Sequence, residues 1–265
     1  MLQPTTKLAL PKITNKQKQI LFYIYQFRFI NTRQLQLIFN HKNPKKIQLW
    51  LKDLKDKKYI KRHEYKDSFL NRSKPAVYYL GNVGRRFLKM DKNCDIDALN
   101  KMYKENKRKE STITFHLTLV DIYINFLRQM KENEELGFYT ESQLLKYTHF
   151  PNPLPSAFIS IKNSEKTKRY FLEVFKEYAN SKILRSKVKA YIQYVEEGHW
   201  DEFAKGKPFP IVLFVCLNEN LKKHVAYFAK ALFEKEYEEK FQLYVASKTR
   251  MLQNGGTLMW EKVKI

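Results

Sequence analysis

The chain has 265 residues, 43% of them hydrophobic and 15% aromatic, with seven glycines and nine prolines; this supplies core material for two domains and excludes a low-complexity or generally disordered chain. Fifty Lys+Arg against 27 Asp+Glu give a net charge of +23. Two distant cysteines, Cys94 and Cys216, form no CxxC pair and exclude a disulfide scaffold, which points to a reducing cytoplasm. The longest apolar run, residues 209–217, is too short to span a bilayer, and residues 1–10 carry no signal-peptide pattern.

The charge is unevenly spread. Residues 1–90 hold 21 Lys+Arg against four acids (Asp53, Asp56, Glu64, Asp67), a net of +17, and the remaining 175 residues hold 29 against 23. A codon bias toward lysine would raise the charge everywhere. The asymmetry instead points to a polyanion partner for the first third.

In chain order, Ile20, Ile24 and Phe27 recur at i, i+4, i+7 and predict an amphipathic helix over 16–28, capped by Thr14 or Asn15. Thr32 is the expected cap of a short second helix with Leu35, Ile38 and Phe39 on one face. Asn43-Pro44 supplies a cap residue and a proline at the first position of a third helix, which buries Ile47, Trp50, Leu51 and Leu54. Its opposite face carries Lys45, Lys46, Gln48, Leu49 and Lys52. The period then changes to that of strands over 59–65 and 76–80, joined by a polar turn over 66–74. Three helices followed by a hairpin is the winged-helix layout, with Gly84 turning the chain into a last helix.

Residues 91–112 are polar and charged and are expected to be a linker, in part helical. Beyond them the pattern predicts a helix over 113–130 and strands over 138–144, 157–162 and 169–175. A helix over 181–196, a central strand over 209–215, a helix over 218–236 and strands over 241–247 and 257–262 complete it. The near-continuous apolar run of 209–215 suits a strand covered on both faces, and Cys216 beside it behaves as a small hydrophobe. The expected architecture is therefore α+β/α/β: a winged helix over 1–90, a linker over 91–112 and a mixed-sheet αβββαβ domain over 113–265.

A winged helix reads duplex DNA by laying its third helix in the major groove. Gln48 is then the candidate base reader, because its carboxamide can pair with adenine. Lys45, Lys46 and Lys52, with Arg33 and Lys42 nearby and Lys66, Arg72 and Lys74 on the wing, are the candidate phosphate contacts. About seven such contacts give a salt slope near −6. The competing reading is a protein-interaction module whose lysine face serves solubility.

The αβββαβ order resembles the PD-(D/E)XK nuclease core, and the whole chain resembles the replication-relaxation family of plasmid and mobile-element proteins. The residues carrying this resemblance are Thr32-Arg33-Gln34-Leu35, then Tyr78-Tyr79-Leu80 with Gly84, then Phe115-His116-Leu117-Thr118-Leu119. It continues through Leu154-Pro155-Ser156-Ala157-Phe158, Phe171-Leu172-Glu173-Val174, Lys187 with Tyr191, and the apolar strand from Phe209. The resemblance implies a role in plasmid replication, DNA relaxation or mobilisation beside a separate relaxase or replication initiator. It does not by itself imply cleavage.

A nuclease of that fold needs an Asp, a Glu and a Lys to hold Mg²⁺ and orient water. Here Ser156 stands at the Asp position and Phe175 at the Lys position, leaving Glu173 alone. Rescue would need Glu141, Glu177 and Lys187 to converge, so the expected role of Glu173 is a carboxylate paired with lysine. His116, on an apolar helix, reads as a core or interface histidine. No HExxH, Walker A, GxGxxG or histidine-pair pattern occurs, and no cofactor, metal or catalytic set is expected. The rivals are a winged-helix transcriptional regulator or antitoxin, and a metal-dependent nuclease. The second domain would serve homodimerisation, partner docking or extra DNA contact, its aromatics (Phe158, Tyr170, Phe171, Phe175, Tyr178) suiting a packed sheet or an interface.

Overall fold

The computed structural model describes residues 10–65, 74–176, 179–235, 241–254 and 258–264. The chain divides into two units, Met1–Arg108 and Lys109–Ile265.

The first unit begins with α1 (Asn15–Phe27), which starts where Thr14 and Gln17 close a capping box. Its Ile20, Leu21, Ile24 and Phe27 are fully buried. A two-residue strand β1 (Ile30–Asn31) follows and leads straight into α2 (Thr32–Ile38). The cap of α2 is Asn31 rather than Thr32: its side chain accepts the Gln34 N–H at 2.8 Å, and Gln34 Oε1 accepts the Asn31 N–H at 3.1 Å. Thr32 is one residue inside, its N–H donating to the Ala76 carbonyl at 3.1 Å. Helix α3 (Pro44–Asp56) opens with Asn43 as cap and Pro44 at its start. Strands β2 (Ile60–Arg62) and β3 (Val77–Leu80) then complete a three-stranded antiparallel sheet of order β1-β3-β2.

The start of helix α4 (Asn82–Leu88), with its cap Gly81, lies so close to the turn between α3 and β2 that only glycine fits at two positions. A Cβ on Gly84 would stand 2.2 Å from the Tyr59 carbonyl oxygen, and one on Gly81 would stand 2.4 Å from that of Lys58. Both neighbours are backbone and cannot swing away. Gly84→Ala is therefore expected to lower unfolding free energy by about 1–3 kcal/mol despite alanine's better helix propensity, read as a drop in urea midpoint at unchanged slope.

Residues 91–108, expected as a linker, belong to the first unit. They form α5 (Ile96–Lys101) and a 3₁₀ helix (Met102–Lys107), and Cys94, Ala98, Leu99 and Met102 are buried. Glu105, 1% exposed, accepts hydrogen bonds from Arg28 Nε at 2.9 Å and Arg108 Nε at 3.3 Å. The partial helicity was expected; the charged residues around these few apolar positions hid their packing into the first unit.

The second unit places α6 (Glu110–Gln129) before a six-stranded sheet of order β4-β5-β6-β7-β8-β9. Strands β4 (Glu135–Thr140), β5 (Ala157–Lys162) and β6 (Thr167–Val174) form an antiparallel meander. Strands β7 (Ile211–Cys216) and β8 (Leu243–Ser247) continue parallel to β6, and the short β9 (Glu261–Lys262) returns antiparallel. Parallel neighbours need crossovers, supplied by α8 (Ser181–Glu196) with α9 (His199–Ala204), and by α10 (Glu219–Lys235). Helix α11 (Lys248–Gln253) follows β8.

The expected strand over 138–144 is corrected: β4 stops at Thr140, and Glu141–Leu144 forms a single helical turn, α7. Thr140 and Gln143 close a capping box there, satisfying backbone donors that a continued strand would leave to a neighbour. The last strand is confined to two residues, and residue 257 lies outside the described ones.

Strand alternation sorts the core into two layers. Phe171, Val212, Phe214 and Cys216 join Leu184, Val188 and Tyr191 of α8 and Val225, Ala229 and Phe233 of α10 in one apolar cluster. On the opposite face the Tyr170 ring lies 6.0 Å from Phe126 of α6, and Phe138 lies 5.4 Å from Tyr123. Among the expected aromatics, Phe158, Phe171 and Phe175 sit in or against the cluster, whereas Tyr178 is outside the described residues. Burial pushes the Cys94 and Cys216 thiols up to about 12, so neither is a thiolate near neutrality. Among the described residues, no helix is long and apolar enough to cross a membrane.

Candidate functional site

Two residue groups carry chemistry, and each belongs to a single unit. The first is the outer face of α3. Ile47, Leu51 and Leu54 are fully buried, which turns Lys45, Lys46, Gln48 and Lys52 outward, all exposed. At 3.6 residues per turn, Lys45, Gln48, Leu49 and Lys52 fall within a sector of about 100°. Leu49 lies among these polar groups and is 60% exposed.

The first turn of α3 is pinned from outside. Asn43 Oδ1 accepts the Lys45 N–H at 2.9 Å, and His41 Nδ1 accepts the Asn43 N–H at 3.1 Å. The helix also carries two acids: Asp56, in the last turn, is exposed within the same sector, and Asp53 flanks it beside Lys46, its carboxylate accepting from Gln17 Nε2 at 2.6 Å and Lys57 Nζ at 2.8 Å. Those hydrogen bonds, Lys57 first, hold its pKa below the usual carboxylate range. Trp50, expected inside the core, is only half-buried, its ring edge-on to Phe39 at 6.0 Å and His41 at 5.7 Å. It fills the side of α3 rather than the underside.

The remaining candidates of the first unit follow the same pattern. Arg33 on α2 and Lys42 before α3 are exposed. Lys74 is exposed beside Tyr65, its ammonium 5.4 Å from the ring centroid. Lys66 and Arg72 lie outside the described residues.

The second group is Ser156, Glu173, Phe175 and Lys187. Strand β6 aims Glu173 at α8, where Lys187 and Tyr191, one helical turn apart, meet it. Glu173 Oε1 accepts from Lys187 Nζ at 2.9 Å and from Tyr191 Oη at 2.9 Å. Lys187 also donates to the Leu154 carbonyl at 3.4 Å. The Ser156 hydroxyl accepts the Val174 N–H at 3.0 Å, tying β5 to β6. Phe175 packs edge-on to Phe214, 5.1 Å between centroids. Lys176, next along, leaves for the opposite face, where its ammonium stands 5.4 Å from the Phe115 ring of α6.

Burial pushes the Glu173 pKa up, outweighing the Lys187 ammonium and the two hydrogen bonds that favour the charge; the Glu141 carboxylate adds to the rise. The same surroundings push Tyr191 well above its ordinary value, burial first. The residue set does not fit a hard-cation cage. Ser156 is spent on a backbone donor, Phe175 is apolar, and Glu173 already serves an ammonium and a phenol. Glu177 is outside the described residues, and among those described no three His, Cys, Asp or Glu side chains converge as metal ligands. His116 is buried within α6.

A family model described as replication-relaxation matches residues 21–208. Among solved structures, the chain is similar to that of the restriction endonuclease FokI, at 15% identity and a TM-score of 0.33. That alignment covers 94% of this chain and 46% of the endonuclease chain, so this protein spans less than half of that enzyme's length. No curated protein matches the sequence.

Proposed function

This chain belongs to the replication-relaxation family, and from that premise we propose that it is a sequence-specific double-stranded DNA-binding protein, an accessory factor in plasmid or mobile-element replication, relaxation or mobilisation. The first unit acts as a winged helix: α1, α2 and α3 form its helical part and β2 and β3 its wing, with β1 as a third strand. Helix α3 enters the major groove. Lys45, Lys46 and Lys52 neutralise phosphates with Arg33, Lys42 and the wing cations Lys66, Arg72 and Lys74, while Gln48 reads a base edge.

One observation carries this reading. Helix α3 buries Ile47, Leu51 and Leu54 completely and turns Lys45, Lys46, Gln48 and Lys52 outward along residues 44–52, a stretch with no acid; Asp53, tied to Gln17 and Lys57, and exposed Asp56 come only after it.

The second unit is a PD-(D/E)XK-like domain whose metal site has become an internal ion pair. It docks a relaxase or replication initiator, or a second copy of the chain, in the cytoplasm. Phe175 at the position of the nuclease lysine, with the one substitute, Lys187, held on Glu173, favours this over cleavage.

The test is selection of duplexes from a random pool by the full chain, followed by anisotropy titrations. A consensus at a replication or transfer origin is expected. A site confined to the chain's own promoter would move the assignment to a transcriptional regulator, and binding without preference would sink sequence specificity. Gln48→Ala should cut discrimination between the consensus and its single-base variants by about 5- to 100-fold, leaving affinity for random duplex unchanged.

A further inference from the structure

The first unit has a second cationic concavity, away from α3, in the segment whose sequence suggested only a linker. Asn82, Arg85, Arg86 and Lys89 of α4 face Asn100 of α5 and Tyr103 of the 3₁₀ helix across a groove of about 410 Å³. That is room enough for one nucleotide unit, within the size range of small-ligand sites. Three cations and no carboxylate line it. Two of them are positioned by carboxamides: Arg85 donates to Asn82 Oδ1 at 2.8 Å, and Lys89 to Asn100 Oδ1 at 2.6 Å. The nearby acid is accounted for, because Glu105 accepts from Arg28 and Arg108. Burial disfavours the Arg85 charge and pulls its pKa below the ordinary value, so an anion in the groove restores what desolvation removes.

Tyr103 adds a second kind of recognition. Its ring is 60% exposed at the groove, with the Lys104 ammonium 4.8 Å from the centroid. Cations beside an exposed aromatic make a stacking platform with a backbone track, the pairing that binds unpaired strands. A duplex keeps its base faces stacked on one another and offers none to a tyrosine. Helix α4, which forms one wall of the groove, packs through Gly81 and Gly84 against the backbone of Lys58 and Tyr59, just past the C-terminal end of α3. Lys45, thirteen residues earlier, is about 20 Å away along that helix.

We propose that this groove binds single-stranded DNA, with a phosphate held by Arg85, Arg86 and Lys89 and the adjoining base stacked on Tyr103. The site is independent of the α3 reading and goes beyond it: it gives the protein a hold on the opened strand that relaxation or replication initiation produces.

The experiment uses the full chain with two fluorescent probes, a 20-nucleotide oligo(dT) and a 20-base-pair duplex, at 0.1 M salt. The charge reversal Arg86→Glu with Lys89→Glu should weaken oligo(dT) binding by about tenfold or more and duplex binding by less than about threefold. Tyr103→Ala should weaken oligo(dT) about fivefold or more, and Tyr103→Phe should restore it, since stacking needs the ring and not the hydroxyl. All three positions are exposed, and the phenylalanine variant controls for any disturbance of the 3₁₀ helix. Equal losses on both probes after charge reversal, or an unchanged oligo(dT) affinity in Tyr103→Ala, would overturn the proposal. Lys45→Ala with Lys46→Ala separates the two sites, because it should weaken the duplex and spare oligo(dT). If it spares both, the α3 assignment fails while the groove stands on its own variants.

Discussion

Replacing Lys45 and Lys46 together by alanine is expected to weaken binding of every duplex by about 10- to 100-fold at 0.1 M salt. Each phosphate contact releases close to one condensed counterion, worth about 1.2 kcal/mol at that concentration. Two lost contacts multiply to the stated range and lower the slope of log K against log salt by about two. Both side chains are exposed on α3 and make no contribution to its buried Ile47–Leu51–Leu54 face, so the loss should occur at unchanged melting temperature. Anisotropy titrations at several salt concentrations measure the affinity and the slope together. An unchanged slope would remove α3 from the DNA interface whatever the affinity did.

The second large effect lies in the other unit. Glu173→Ala should cost about 3–5 kcal/mol of stability, because it strands the Lys187 ammonium and the Tyr191 hydroxyl in a site where both now donate to one carboxylate. Glu173→Gln should cost clearly less, since an amide oxygen still accepts. The pH dependence has a definite sign. Burial raises the Glu173 pKa above its unfolded value of about 4.3, so protonation favours the folded state. The contribution is fully present below the unfolded pKa and fades as pH rises through the higher folded pKa. Urea midpoints across pH 4–8 should therefore fall with rising pH in a component that Glu173→Gln abolishes. A stability that rises through that window because of Glu173 would mean that the Lys187 pairing, not burial, governs its charge.

Much of this architecture was readable where one residue pattern decided one element. Asn43-Pro44 fixed the start of α3, the i, i+4, i+7 spacing of Ile20, Ile24 and Phe27 fixed α1, and β-branched and aromatic runs marked β6 and β7. The failures came where a local signal was short or disguised. Residues 91–108 looked like a linker because their apolar groups, Ala98, Leu99 and Met102, are few and lie among charges; their burial depends on packing that no local period encodes. The strand expected through residue 144 was cut by a capping box at Thr140–Gln143, whose Thr-x-x-Gln spacing is visible in the sequence but was not weighed against Phe138, Tyr139 and Leu144. The two-residue β1 exists only because β3 is there to pair with it.

The site was legible to a similar extent. The outward face of α3 follows from its inward one, so Lys45, Lys46, Gln48 and Lys52 were placed by helical geometry alone. The pairing of Glu173 with a lysine was an expectation of charge burial, and Lys187 with Tyr191, one turn apart on α8, was the visible partner signal. The groove beside Tyr103 was missed because two of its six named residues fall in the presumed linker.

Asn31 does two jobs at once: as the last residue of β1 it lies opposite Val77, and as the cap of α2 it accepts the Gln34 amide. The hairpin and the second helix consequently share a single anchor. A one-residue slip of β3 would reverse which of its side chains reach the interior and tear away the Ala76 carbonyl that Thr32 engages. Sheet and helices thus cannot drift apart by small steps. A change of register in β3 is therefore felt at the root of α2 as well.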